Sequence, residues 1–161
     1  WYTDSYYGDT ISCGFSANQL GVLMMKNKIL CVTKEEAEAI KENSICNKDI
    51  FFVEIDGAKI RNEEEYVQAM ADVFAFSHKL PGRKLGWYMD YICDLMWIEK
   101  NDIVILIRDY DSMLIDDIVT KKIIMDDFVE IILPWWEGEV VGHMVGGKPR
   151  GFLIYLEKEY K

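Results

Sequence analysis

Histidine and cysteine are scarce in this chain. Two histidines, His78 and His143, and four cysteines, Cys13, Cys31, Cys46 and Cys93, stand far apart, with no C-x-x-C pair. Zinc held by Cys and His needs closely spaced ligands, so no metal site is expected. No disulfide framework is needed either. With 161 residues, half of them hydrophobic, the chain can bury a core unaided, and reduced thiols in a cytoplasmic protein are the expectation. No apolar run nears the roughly 20 residues of a membrane span. Basic charge is in deficit, with 18 Lys and Arg against 28 Asp and Glu, a net charge of -10. Such a surface repels phosphates, which argues against nucleic acid as a direct partner and for a basic protein. Catalytic and cofactor-binding signatures are missing too: there is no G-x-S-x-G, no P-loop, no H-E-x-x-H and no G-x-G-x-x-G. The doublets Asp116-Asp117 and Asp126-Asp127 point in different directions from a helix and read as solvated charge. Neither catalysis nor a cofactor is expected.

Hydrophobic periodicity and turn chemistry then set the elements. Ile11–Phe15 and Lys28–Val32 read as short strands. Thr33 with Glu36 three residues on is a capping box that opens a helix to about Asn43, and Asn47-Lys48-Asp49 is a linker. Residues 1–49 read as an add-on extension that packs on a main domain at 50–161. In that domain Phe51–Ile55 is a strand closed by Asp56-Gly57. Asn62 and Glu65 open a helix whose Tyr66, Met70, Val73 and Phe74 repeat at helical spacing. Leu80-Pro81-Gly82 interrupts, and a third helix runs from near Lys84 to Ile98. Ile103–Ile107 is a strand covered on both faces. A helical stretch from about Met113 to Val145, broken at or before Pro134, precedes a last strand at Phe152–Leu156. This order predicts an α/β layer with three core parallel strands.

The acidity is concentrated. Residues 89–139 carry 13 acidic and four basic side chains, so one region holds most of the negative field. The third helix lies at its edge. Leu85, Tyr88 or Met89, Ile92, and Leu95 or Met96 form its apolar stripe, leaving Trp87, Asp90, Tyr91, Asp94 and Trp97 opposite. Rings beside paired carboxylates suit a protein interface, where aromatics supply area and carboxylates meet cationic pockets. The other reading is that residues 1–49 cover the indoles and the aspartates merely face water.

The run Gly82-Arg83-Lys84-Leu85-Gly86-Trp87-Tyr88-Met89-Asp90-Tyr91-Ile92-Cys93-Asp94-Leu95-Met96-Trp97 resembles the signature helix of the barstar family, small acidic inhibitors of ribonucleases. Gly82, Arg83, Leu85, Asp90, Asp94, Leu95 and Trp97 fall into register with the family pattern without a gap. The flanking strands follow in the family's order across about residues 50–161. The resemblance implies a barstar-like fold and an inhibitor or immunity protein that plugs the basic active site of a ribonuclease or nuclease toxin. Asp90 falls on the family's central aspartate and would stand where the scissile phosphate goes. Trp87, Tyr91, Asp94 and Trp97 lie on the same expected face, and Glu137 and Glu139 are candidates for a second contact region. The chain departs from the pattern at Lys84 and Gly86, where the family usually has Asn and Asp. The same fold could therefore serve a different toxin, or a non-inhibitory interaction module.

Two further segments have plainer readings. In Pro134-Trp135-Trp136-Glu137 one indole is expected in the core and the other over the sheet edge or the N-terminal extension. Gly146–Gly151 is glycine-rich and basic, but it follows a helix instead of opening one. A helix-ending loop accounts for it better than a phosphate cradle.

Overall fold

The computed structural model describes residues 27–76 and 84–159. The expected strand at Ile11–Phe15 and the interruption at Leu80-Pro81-Gly82 lie outside them. Strand β1 (Lys28–Val32) leads into helix α1 (Lys34–Cys46), strand β2 (Ile50–Asp56) and helix α2 (Glu63–Phe74). Helix α3 (Leu85–Ile92) and strand β3 (Asp102–Arg108) follow, then helices α4 (Ile118–Asp127) and α5 (Val140–His143), and strand β4 (Gly151–Glu157). The described strands form one wholly parallel sheet in the order β1-β4-β3-β2.

Four strands, not the expected three, make this sheet. The correction comes from Lys28–Val32, which the sequence suggested was part of an add-on. It pairs with β4 from Lys28 opposite Leu153 to Val32 opposite Glu157. Alternation along the strands sorts the core into two sides. Ile103, Ile105 and Ile107 of β3, with Phe152, Ile154 and Leu156 of β4, face the larger cluster under α2, α3 and α4. Leu106 faces the other way, toward Val32 and Ala37, with Ile40, Phe52 and Tyr155 packed around them. Helix α1 thus covers one face, and the remaining helices cover the other.

The capping chemistry holds up in detail. Thr33 accepts from the Glu36 N–H at 3.2 Å while its own N–H donates to the Glu36 carboxylate at 2.8 Å. Asn62 accepts from the Glu65 N–H at 2.9 Å, but the Glu65 carboxylate reaches one residue further back, to the Arg61 N–H at 2.7 Å. Gly57 follows β2 where no side chain fits, since a Cβ there would meet the Arg108 carbonyl at 2.6 Å.

The long helical stretch differs from expectation at both its start and its middle. It begins at Ile118, not near Met113. Leu114 takes a left-handed φ of 50° and turns into the core, and Asp117 caps the helix by accepting from the Thr120 N–H at 3.1 Å. Pro134 does not break it. Proline has no N–H for the carbonyl four residues back. The helix accommodates this by widening into π turns at Phe128–Ile132 and Trp135–Glu139. The Leu133 N–H reaches the Phe128 carbonyl, and the Val140 N–H reaches that of Trp135.

Candidate functional site

Helix α3 is held at both ends and along its inner side. At its start the Leu85 N–H donates to the Glu63 carboxylate of α2 at 2.9 Å. Lys84 occupies the cap position without a capping bond of its own. Along its inner side Tyr88 and Ile92 are buried, and the Tyr88 hydroxyl lies 3.1 Å from that of Tyr66. Burial pushes both phenols above their ordinary pKa, so they stay neutral. At its end the Trp136 indole N–H donates to the Ile92 carbonyl at 3.0 Å, and the Trp135 N–H to the Cys93 carbonyl at 2.7 Å. Trp136 lies in the core as expected of one of the pair; Trp135 caps α3 instead of covering the sheet edge, and the other expected cover, the N-terminal extension, lies largely outside the described residues. Carbonyls at a helix end lack intrahelical donors, and these two indoles supply them.

The helix is shorter than expected. It ends at Ile92, not Ile98, and Leu95 takes a φ of 43°. Leu95 and Ile98 still reach the core because the chain turns back beneath the sheet's helices. Asp94 and Trp97 consequently lie beyond the helix and do not continue its outer face.

The expected contact residues do not share one face. Trp87 and Asp90, three residues apart on α3, share its exposed face; Trp87 is 48% exposed. Tyr91 is half-buried and stacks on Phe76 with ring centroids 5.0 Å apart. Trp97 meets the same Phe76 edge-on at 5.9 Å and donates its N–H to the Phe74 carbonyl at 2.9 Å. Tyr91 and Trp97 thus fasten α3 to the end of α2, with Trp97 still 40% exposed. Phe76, which joins them, was missed from sequence because it follows the last periodic residue of α2. Glu137 and Glu139 are exposed on the second π turn, the segment whose tryptophans seat on the end of α3. Asp90 and Asp94 thus lie at the end of α3 on which the two tryptophans of this acidic turn seat.

That end is electrostatically incomplete. A helix C-terminus carries partial negative charge and favours cations. The last turn of α3 has no basic side chain, yet Asp90 stands in it and Asp94 just beyond. Asp94 is half-buried, and its Oδ1 is buried with no hydrogen-bond partner among the described residues. The Cys93 thiol records the same surroundings. Burial, and then the charge of Asp90, push its pKa to about 12, so it is not a nucleophile at neutral pH. Among the described residues, no group of three or more His, Cys, Asp or Glu could hold a metal ion. No helix among them is long and apolar enough to cross a membrane.

The glycine-rich loop ends α5 as its sequence suggested. Gly146 sits at a φ of 75°, and a Cβ on Gly147 would meet the Val140 carbonyl at 2.5 Å.

The fold and this site define a parallel α/β domain that displays a braced helix with carboxylates at its end and no basic side chain in its last turn. The family described as Barstar (barnase inhibitor) matches residues 50–141, more than half of the chain. The chain belongs to the barstar family. No curated protein and no solved structure matches it at a level that would show a relative.

Proposed function

We propose that this protein inhibits a basic ribonuclease or nuclease toxin by laying the exposed face of α3 into its active site. The observation that carries this reading is the uncompensated charge at the end of α3. Among the described residues Asp90 is exposed with no ion pair and Asp94 keeps a buried oxygen without a donor, and the last turn of α3 carries no basic side chain. A free protein gains nothing from carboxylates at the negative end of a helix. A cationic cleft built to bind phosphate supplies the missing donors. Family membership supports the same direction, since the family's description is that of an inhibitor of barnase.

In this reading Asp90 takes the place of the scissile phosphate, Asp94 meets a second cation, and Glu137 and Glu139 extend the contact from the neighbouring π turn. The protein is not an enzyme and needs no cofactor; it works by occlusion. Bracing of α3 by Glu63, Tyr66, Trp135 and Trp136 means that little ordering remains to be done on binding. The inhibitory helix belongs to a domain whose sheet includes β1 and whose second face is covered by α1, and the protein acts in the cytoplasm.

The test is RNA cleavage by barnase and a panel of basic microbial ribonucleases, with and without the full chain. Stoichiometric suppression of at least one enzyme supports the reading. For that enzyme Asp90→Ala should lose about 2–5 kcal/mol of binding, roughly 30- to 5,000-fold in affinity. Failure to suppress any enzyme of the panel overturns it in favour of a non-inhibitory interaction module.

A further inference from the structure

Three of the four tryptophans among the described residues have the indole N–H tied to a backbone carbonyl. Trp97 donates to Phe74, Trp135 to Cys93 and Trp136 to Ile92. Trp87 is the exception. It is the most exposed of the four and has no hydrogen bond among the described residues. Its predecessor Gly86 has open space where a Cβ would stand, with nothing within 4 Å. Asp90 follows three residues on, exposed on the same face. The helix thus offers a free planar ring with a spare donor, bare backbone beside it, and an anion one turn further along.

A ribonuclease must hold a base and a phosphate side by side. Its phosphate subsite is cationic, and unstacked bases are commonly held against an aromatic ring or an Arg guanidinium plane. The indole has the largest π-face of any side chain and carries an N–H at its edge, as a base does. We infer that Trp87 fills the nucleobase subsite of the target ribonuclease while Asp90 fills its phosphate subsite. The inference rests on the inhibitor reading above and names what that enzyme's cleft contains: a stacking platform next to the cationic centre. Gly86 serves the same end, because the missing side chain lets the rim of the cleft close against the helix beside the ring.

The experiment uses the full chain and a ribonuclease that it suppresses. Inhibition is measured for wild type, Trp87→Ala, Trp87→Phe and Asp90→Ala, each against rising inorganic phosphate and, separately, rising adenosine, guanosine, cytidine and uridine. Thermal melting of each variant checks that it is folded, as expected for exposed positions. Trp87→Ala should weaken inhibition about 10- to 100-fold, in line with the loss of a base–aromatic stack, and Trp87→Phe should retain most of it. At least one nucleoside should compete with wild type but not with Trp87→Ala, while phosphate competes with both. Asp90→Ala should reverse the pattern, with competition by the nucleoside retained and competition by phosphate lost. If Trp87→Ala inhibits like wild type, or the nucleosides affect both equally or not at all, the base-subsite assignment is overturned. Suppression by wild type and its loss in Asp90→Ala would then still stand. If no ribonuclease is suppressed, the inhibitor reading itself falls and takes this inference with it.

Discussion

The Trp135 indole N–H lies 2.7 Å from the Cys93 carbonyl, closing the end of the helix that carries Asp90. Trp135→Phe would keep a ring in place and remove the donor, leaving a partly buried carbonyl unpaired. A cost of about 1–2 kcal/mol is expected. For a chain of this size that lowers the melting temperature by roughly 2–8 °C. Denaturant unfolding of the two proteins measures it. An unchanged midpoint would mean that water replaces the indole and that the cap contributes nothing to stability.

Asp94 separates stability from binding. Asp94→Asn removes a charge from the negative end of α3, where Asp94 has no ion pair among the described residues, and offers an amide donor. The free protein should gain about 0.3–1 kcal/mol, the usual size of a helix-end charge effect, while inhibition of the target weakens. Urea unfolding and an inhibition assay on the same preparation report the two effects. A variant that loses stability would show that Asp94 is compensated within the chain after all.

Acidity offers a third test through Asp127, at the end of α4. Burial, and then repulsion from Asp126 and Glu130, raise its pKa above the ordinary carboxylate value. The folded protein therefore holds this proton at pH values where the unfolded chain has released it. The contribution is fully present below the ordinary value of about 4 and is lost as pH rises through the raised folded value. Asp127→Asn should be more stable than wild type at pH 7 and equal to it near pH 3. Urea midpoints at the two pH values decide this. The same difference at both would show that it does not arise from titration.

Much of the framework was readable from local chemistry. The Thr33 and Asn62 caps, the doubly covered β3 and the apolar stripe through Tyr88 and Ile92 each follow from neighbours within a turn or a strand. What escaped was decided by distant residues. Helix α3 stops at Ile92 although no glycine or proline follows it, because the carbonyls of Ile92 and Cys93 are claimed by indoles more than 40 positions away. Leu95 and Ile98 kept the apolar pattern going, since a chain folding back into the core needs buried residues as much as a helix does. Pro134 gave a correct signal of disturbance and the wrong form of it. Nothing local distinguishes a broken helix from a widened one when tertiary packing holds both halves. In the candidate site, Asp90 and Trp87 stand on the exposed face that periodicity gave them. Tyr91 and Trp97 are drawn inward by Phe76, a partner that no repeat exposes.

The sheet order carries a consequence for how the molecule comes to be. Strand β1 is the first described element, yet its partner is β4, the last. During synthesis β2 and β3 can pair and collect α2 and α3, so the inhibitory helix can be braced from one side early. Strand β1 must wait until β4 has emerged, although α1 can already pack on β2 and β3 through Ala37 and Ile40. Closing so long a loop is slow, and β1 keeps an open edge meanwhile. Translation order would then make the arrival of β4 the step that joins the two sides of the sheet, coupling the earliest and latest parts of the chain in a single closing event.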